Sequence, residues 1–355
     1  MTRKTLWRPV ALALLLGMHT AWADMTDVQA KALAVSAYRH AGSRSGTSAL
    51  ETLMRAADGG APAAQYWLGA YFDSSHLYVK ANYWFGKAAE QGLSDAQFNL
   101  GVHYANGRGV PIDYAKANYW YVKAAEQGDA DAQNNLGFDY KYGKGVPQDY
   151  AKANYWYAQA AAHGDAMAQY NLGADYDKGK GVPQDYAKAN YWFAKAAEQG
   201  YADAQYNLGV HYANGRGVPR DYAKANYWYA KAAEQGYADA QNNLGFDYYN
   251  GHGVPQDTMR AIYWWRKAAA QGSRMAERNI QIAERGTAAS NDAARAVTYT
   301  DTCVNASCVR RYSDGRVIRY TACLNPADGL PMNDPNQLGG CGGTDSDGNF
   351  YGTGS

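Results

Sequence analysis

The 355-residue sequence lacks most of the features by which catalytic and nucleic-acid-binding proteins are recognised. It contains no H-E-x-x-H, G-x-S-x-G or S-x-x-K segment, which excludes the common zinc-hydrolase and serine-nucleophile arrangements. An excess of charge of one sign is also lacking, because 34 Lys and Arg stand against 33 Asp and Glu. Such a balance argues against a nucleic-acid partner. We therefore expect no enzyme, no cofactor and no bound nucleic acid.

Long apolar runs are equally scarce. The run near the start, residues 10–18, is roughly half the ~20 residues that a membrane-spanning helix needs. It follows a basic segment and precedes small residues ending at Ala23, an arrangement typical of a secretory signal peptide over residues 1–23. We expect cleavage near Ala23, a periplasmic or secreted mature chain, and no stable membrane insertion.

Cysteine is rare and confined to the last part of the chain. An even number of cysteines in an exported protein favours disulfides over metal ligands, and four cysteines allow three pairings. Residues 309–320 alternate around an Asp-Gly turn, which predicts a β-hairpin. We expect residues 297–355 to form a small β-rich, disulfide-stabilised module after a linker over residues 287–296. The four cysteines are Cys303, Cys308, Cys323 and Cys341.

What the chain has in abundance is a repeat. The dipeptide Tyr-Trp recurs six times, always at an interval of 36 residues. A fixed period of this length is typical of a helical solenoid, in which each unit buries its apolar face only against its neighbours. The six tryptophans are Trp84, Trp120, Trp156, Trp192, Trp228 and Trp264.

One copy, residues 203–236, divides into two helices. Glycine inside a helix costs about 1 kcal/mol relative to alanine, so the return of Gly209 in other copies predicts a close helix crossing. In the second helix Trp228 lies on a broad apolar face, where we expect a core residue rather than a cofactor contact. Asp221 and Gly236 fit the two ends of that helix. The recurring glycines are Gly101, Gly137, Gly173, Gly209 and Gly245.

The pattern A-x-A-x-x-L-G-x-x-Y-x-x-G-x-G-V-P-x-D-x-x-x-A-x-x-W-x-x-K-A-A-x-x-G resembles the Sel1-like repeat, a relative of the tetratricopeptide repeat. Six copies cover residues 61–272, and the first copy has a connecting loop four residues shorter than the next. The resemblance implies an all-α, right-handed α/α solenoid. We expect residues 24–60 to form N-terminal helices and a degenerate half-repeat, and residues 273–286 a C-terminal cap helix.

Positions that vary between copies are candidates for binding, because the fixed positions maintain the fold. By analogy with tetratricopeptide repeats, we expect the first helices to line a concave groove for a partner protein. Aromatic side chains there suit protein recognition. The alternative is a solvated helix face with incidental tyrosines. The predicted contact residues are Phe98, Val102, Asn134, Phe138, Lys141, Tyr170, Asp177, Tyr206, Val210, Asn242, Phe246 and Tyr249.

A second row of residues in the first helices alternates between histidine and aspartate. Helices in contact lie about 8–10 Å apart, too far for successive copies to share one metal ion, so we expect no metal site. Histidine could instead titrate a binding surface near neutral pH. The row consists of His103, Asp139, Asp175, His211 and Asp247.

These observations favour an exported scaffold that binds proteins. Within the resembled family, exported members serve as envelope adaptors, as immunity proteins and as host-interaction factors. Residues 99–111 and 207–219 are identical, which indicates a duplicated three-repeat block and a groove lengthened without new chemistry. One alternative is cell-wall, glycan or anionic-lipid binding by the C-terminal module, with the solenoid as a spacer. A β-lactam-interacting hydrolase is less favoured, because no S-x-x-K segment is present.

Overall fold

The computed structural model describes residues 25–295, 299–304, 307–313, 315–321, 343–345 and 350–351. The predicted signal peptide lies outside the described residues. The chain divides into two compact units, one ending at Ser273 and the other beginning at Arg274. Among the described residues, every helix is too short or too polar to cross a membrane.

The first unit is an array of helical hairpins. Helices α1 and α2 form the first hairpin, and six further hairpins follow from α3/α4 to α13/α14. Each hairpin also packs on the next one along the chain. The helices are α1 (Asp27–Arg39), α2 (Arg44–Asp58), α3 (Pro62–Ser74), α4 (Tyr78–Glu90), α5 (Ser94–Asn106), α6 (Tyr114–Ala125), α7 (Ala130–Tyr142), α8 (Tyr150–Ala162), α9 (Ala166–Lys178), α10 (Tyr186–Glu198), α11 (Ala202–Asn214), α12 (Tyr222–Glu234), α13 (Ala238–Asn250) and α14 (Thr258–Ala269).

Local sequence explains where these helices begin and end. Asp221 is the N-cap of α12, and its side chain accepts a hydrogen bond from the Lys224 amide at 2.9 Å. Gly236 follows that helix with a φ of 93°, a conformation that glycine adopts without a Cβ clash. The first repeat differs, because only three residues separate α3 from α4 and Leu77 supplies no side-chain cap. The predicted caps and the shorter first loop are therefore confirmed.

The core of each repeat is a contact between a helix glycine and an aromatic ring. A Cβ added at Gly209 would lie 2.6 Å from Cδ1 of Tyr229 and 3.2 Å from the carbonyl oxygen of Ala225. The predicted close approach of the two helices is confirmed at this glycine and its equivalents. The ring belongs to the residue that follows each recurring tryptophan. These rings, all 3% exposed or less, are Phe85, Tyr121, Tyr157, Phe193, Tyr229 and Trp265.

The recurring tryptophans are less deeply buried than the spacing predicted. Trp84 is buried, but the equivalent residue in the other five repeats is only half-buried. Trp156, for example, packs at the edge of the apolar cluster that contains Tyr121 and Leu136. The prediction that all six tryptophans are core residues is therefore wrong about how deeply they are buried. Helical spacing places a residue on one face of the helix but does not determine its depth of burial.

Amide side chains join neighbouring repeats. The Asn154 amide donates to the carbonyl oxygen of Lys180 at 2.7 Å, and an asparagine does the same in four other repeats. The Gln199 amide donates to Oε1 of Gln169 at 2.8 Å, and Gln169 in turn donates to the carbonyl oxygen of Ala161 at 3.1 Å. These bonds pair buried polar groups and set the register between repeats.

The second unit contains α15 (Arg274–Arg295) and β1 (Tyr299–Val304), β2 (Ser307–Tyr312), β3 (Val317–Thr321), β4 (Gly343–Asp345) and β5 (Phe350–Tyr351). The strands form one antiparallel sheet in chain order, with Cys303 directly opposite Cys308. Helix α15 continues through most of the predicted linker, since that stretch is rich in alanine and has no proline. Cys323 and Cys341 lie outside the described residues, and the predicted disulfides stay predictions.

The glycine contact leads to a test with a matched control. Gly209→Ala should lower the free energy of unfolding by about 1–3 kcal/mol, because the added methyl group overlaps a fully buried ring. Gly86→Ala in α4 should raise it by up to about 1 kcal/mol, because no atom lies within 4 Å of the added Cβ. Urea unfolding followed by circular dichroism measures both effects. Equal effects of the same sign would contradict the packing role of Gly209.

Candidate partner-binding surface

The first variable position of the first helices packs on the core wherever it is aromatic. Tyr206 lies 6.0 Å from the buried ring of Tyr229 and stacks at 5.0 Å on Tyr237. Phe98 and Tyr170 lie 6.0 and 5.9 Å from the equivalent rings of their own repeats. All three predicted contact residues are half-buried. They can therefore present only part of each ring to a partner.

The structure does not place the two predicted asparagines on a surface. Asn134 and Asn242 are 8% and 7% exposed, because an amide is shorter than the aromatic ring found at this position in other repeats. The side-chain amide nitrogen of Asn134 lies 3.5 Å from the sulfur of Met167. The backbone carbonyl oxygen of Asn242 accepts a hydrogen bond from the Trp265 indole at 3.0 Å. The prediction that they contact a partner is corrected: both belong to the interior.

The second variable position supplies the most exposed aromatic residues of the predicted set. Phe138 is 39% exposed and Phe246 is 48% exposed. Val102 and Val210, at the same position in other repeats, are half-buried beside the core. An exposed phenylalanine leaves a large apolar area in water unless a partner covers it. Phe138 and Phe246 are therefore the strongest candidates, among the predicted contact residues, for anchoring a partner protein.

Each of these phenylalanines is the centre of a small aromatic cluster. The Phe138 patch consists of Tyr114, Phe138, Tyr142 and Lys144. The rings of Phe138 and Tyr142 lie 4.5 Å apart, and the Lys144 amine lies 4.7 Å from the Phe138 ring and 5.3 Å from the Tyr114 ring. Two rings in contact with a cation over one of them form a preorganised apolar surface with a charged rim.

The Phe246 patch consists of Tyr222, Phe246 and His252. The His252 ring stacks on Tyr222 at 4.8 Å and lies 5.8 Å from Phe246. Phe246 follows Phe138 by 108 residues, so the two patches occupy equivalent places in the two copies of the duplicated block. The duplication therefore repeats the exposed aromatic residue and changes the basic residue beside it.

The third variable position divides between surface and interior. Tyr249 is half-buried, with its ring 5.6 Å from Trp265. Lys141 and Asp177 instead make ion pairs with the next repeat, and their side chains are 11% and 17% exposed. These two predicted contact residues are already paired within the protein. They are therefore less available to a partner than their position in the repeat predicted.

The row of histidines and aspartates is interior, which corrects the hypothesis of a titrating binding surface. All five residues are 6% exposed or less. His103 Nε2 lies 3.0 Å from Asp73 Oδ1, and Lys141 Nζ lies 2.8 Å from Asp175 Oδ1. Burial lowers the pKa of His103, and the neighbouring Asp73 opposes that effect. Three of these residues, His103, Asp175 and His211, pair with the preceding repeat, and the whole row lies in the interior.

The pairing follows a rule that spans two repeats. Three residues of the row form an ion pair with a residue of the preceding repeat, usually 34 residues earlier: Asp175 pairs with Lys141, and His211 pairs with Asp177 at 3.2 Å. Asp73 precedes His103 by only 30 residues, because the first loop is four residues shorter. Sequence reasoning missed this rule, although comparing each repeat with the next at an offset of 34 would have shown the opposite charges.

Asp139 and Asp247 break the rule, because the residues 34 positions earlier are Ala105 and Ala213. Among the described residues the Asp139 carboxylate makes no hydrogen bond or ion pair, although Asp139 is only 6% exposed. Burial raises the pKa of the Asp139 carboxyl to about 7, an effect that the Lys144 amine partly offsets. In the second copy of the block, Asp247 has His252 Nδ1 at 3.4 Å. Asp139 is thus a buried carboxylate without an ion-pair partner, on which the Lys144 amine acts only at longer range.

The sequence profile of the Sel1 repeat family matches six consecutive segments of the chain. They are residues 62–93, 94–129, 130–165, 166–201, 202–237 and 238–273. These segments correspond to the six hairpins from α3/α4 to α13/α14 and cover more than half of the sequence. The chain therefore belongs to the Sel1 repeat family, whose solenoids are typical of protein–protein interaction.

Two solved structures share this architecture. A protective antigen present in uropathogenic Escherichia coli strains, which displays the same fold, is 36% identical with a TM-score of 0.66, covering 71% of this chain and 55% of the antigen. A Sel1 repeat protein from Oxalobacter formigenes is 34% identical with a TM-score of 0.57, covering 59% of this chain and 87% of that protein. The chain thus spans about half the length of the antigen. A search of curated proteins gives no match.

The exceptional carboxylate leads to a pH-dependent prediction. The folded-state pKa of Asp139 lies above its unfolded value, so the folded protein binds the extra proton and this group destabilises the fold as the pH rises from about 4 to 7. Asp139→Asn should therefore gain stability over the natural protein, on the order of 2 kcal/mol between pH 5 and pH 8. Urea unfolding of both proteins at several pH values measures this difference. A difference that does not change with pH would contradict the assignment.

Proposed function

We propose that the solenoid binds a partner protein along its first helices and that Phe138 and Phe246 are the principal anchors. The observation that carries this proposal is the pair of exposed aromatic patches in equivalent places of the duplicated block. Exposed aromatic rings on a rigid scaffold contribute binding energy at low cost in conformational entropy. A partner that contacts both patches would span four repeats, from the third to the sixth.

The proposal includes export and a role in the bacterial envelope. It is supported by the sequence pattern of residues 1–23, which is typical of a signal peptide. Two roles would use such a scaffold: that of an adaptor, and that of an immunity protein that neutralises a secreted effector. Duplication of a three-repeat block, which multiplies a binding surface without adding chemistry, is consistent with either role.

The anchor residues can be tested with a double variant. We expect Phe138→Ala with Phe246→Ala to weaken partner binding at least tenfold, because each substitution removes an apolar contact of hot-spot size. The partner is first captured from envelope extracts with the mature protein, and its affinity is then measured by surface plasmon resonance. Replacement of Phe98 or Tyr206 is less informative, since both rings pack on the core.

The matched control lies on the second helices. Tyr155 and Tyr191 are 57% and 54% exposed, so Tyr155→Ala with Tyr191→Ala removes a similar aromatic area from a different face. This control should bind the partner with unchanged affinity. If the control loses binding and the phenylalanine variant keeps it, the second helices are the binding surface and our assignment is wrong.

Removal of the C-terminal module tests whether the solenoid alone is sufficient to bind the partner. We expect a chain ending at residue 289 to keep full affinity, because the predicted anchors all lie in the first unit, which ends at Ser273. Affinity for the captured partner is compared with that of the full mature chain. Loss of binding with unchanged thermal stability would instead assign recognition to residues 290–355.

A further inference from the structure

The unpaired carboxylate of Asp139 lies in an environment that holds an ammonium group one repeat later. There, Lys141 Nζ lies 2.8 Å from Asp175 Oδ1 and 5.6 Å from the centre of the Tyr157 ring. The corresponding ring beside Asp139 is that of Tyr121, which is 2% exposed. A buried carboxylate and an aromatic face are two groups that attract an organic cation.

A second buried acceptor beside Asp139 is also unpaired. The Asn118 side chain is 4% exposed, and its amide nitrogen donates to the carbonyl oxygen of Lys144 at 2.7 Å. Its Oδ1 atom has no hydrogen-bond donor among the described residues, and the same holds for the equivalent oxygens of Asn154 and Asn226, so this acceptor supports the site without distinguishing it from other repeats. In the first repeat the equivalent oxygen, Asn82 Oδ1, lies 2.6 Å from His103 Nδ1, and Asp139 occupies the position equivalent to His103. Two adjacent acceptors without a donor are costly to bury.

A single small residue explains why the Asp139 carboxylate has no ion-pair partner. Ala105 stands where the next repeat has Lys141, so the side chain at this position cannot bring an ammonium group to Asp139. The exposures agree: Asp139 is 6% exposed, whereas Asp175 beneath Lys141 is fully buried. The nearest lysine of the loop, Lys144, has its amine over the rings of Phe138 and Tyr114 instead.

We propose that Asp139, Asn118 and the Tyr121 ring form a subsite, entered past Ala105, that binds the primary ammonium group of a lysine side chain on the partner protein. This inference rests on the proposed function and specifies the chemistry of the partner. The subsite is linked to the Phe138 patch by Lys144, whose amine lies 4.7 Å from the Phe138 ring and interacts electrostatically with the Asp139 carboxylate. The partner segment is thus expected to place an apolar residue on Phe138 and a lysine beside it.

The duplicated block contains a natural counterpart in which the space is occupied. Ala213, Asp247, Asn226 and Tyr229 are equivalent to the residues of the subsite, but His252 replaces Lys144 and lies 3.4 Å from Asp247. A histidine of the protein itself thus provides the cation or donor there. We therefore assign the ammonium subsite to Asp139 alone.

The probe for the experiment is n-butylammonium, which has the length and head group of a lysine side chain, with 1-butanol as the neutral control. The mature protein is titrated at pH 7.5, and the carbon-13 shift of the Asp139 carboxyl and the thermal midpoint are recorded. Butylammonium should move the Asp139 signal toward its ionised position and raise the midpoint, because a bound cation stabilises the carboxylate and the folded state. Butanol should do neither.

Two variants make the outcome decisive. Asp139→Asn should abolish the rise in thermal midpoint, and Ala105→Lys should abolish both responses while raising the midpoint in the absence of probe, because it copies the Lys141–Asp175 pair. An equal rise in the Asp139→Asn protein would overturn the proposal. An equal response to potassium chloride at the same concentration would also overturn it, since the site would then bind any cation.

The titration uses no partner protein, so its result is independent of the proposed function. If butylammonium binds but the double phenylalanine variant keeps full partner affinity, the subsite exists and the assignment of the binding surface is wrong. If the phenylalanine variant loses affinity but butylammonium has no effect, the surface is correct and the lysine subsite is wrong.

Discussion

The repeat array depends on the contact between a glycine of each first helix and the buried ring of the second helix. At Gly209 any Cβ would overlap the Tyr229 ring, so only glycine permits this distance between the helices. The same contact recurs in every hairpin from α3/α4 to α13/α14 and gives the repeats the same thickness. Constant thickness lets an amide such as Asn154 reach the next repeat at the same carbonyl position each time. The polar bonds between repeats thus depend on an apolar contact within them.

Buried charges add a second constraint between neighbours. Lys141 and Asp175 are complementary, as are Asp177 and His211, and removing one partner would leave an uncompensated charge in the interior. These ion pairs therefore match particular repeats to the one before, although all repeats share one pattern. The exception at Asp139 leaves a carboxylate unpaired beside the most organised aromatic patch. The proposed binding subsite thus lies at Asp139, where the ion pair between repeats is missing.

Much of the fold was predictable because its determinants are local. The predicted N-cap at Asp221, the glycine at 236 and the short first loop all concern residues within one turn of each other. The candidate site was less predictable. Asn134 shares a helical position with Phe98, and only the packing of adjacent repeats shows that the amide is buried and the ring half-buried. Exposure depends on the size of the neighbours as well as on the position in the repeat.

The sequence by itself determined the repeat, its family, its helix ends and the glycines where helices cross, because each depends on periodicity or on backbone conformation. The tertiary structure alone decided the depth of each side chain and the pairing of charges between repeats. It showed that the ring of the residue after each tryptophan is buried more deeply than the tryptophan itself. It also showed that Asp139 lacks the cation that Asp175 has. Both facts depend on three helices packing together, which no pattern within one helix records.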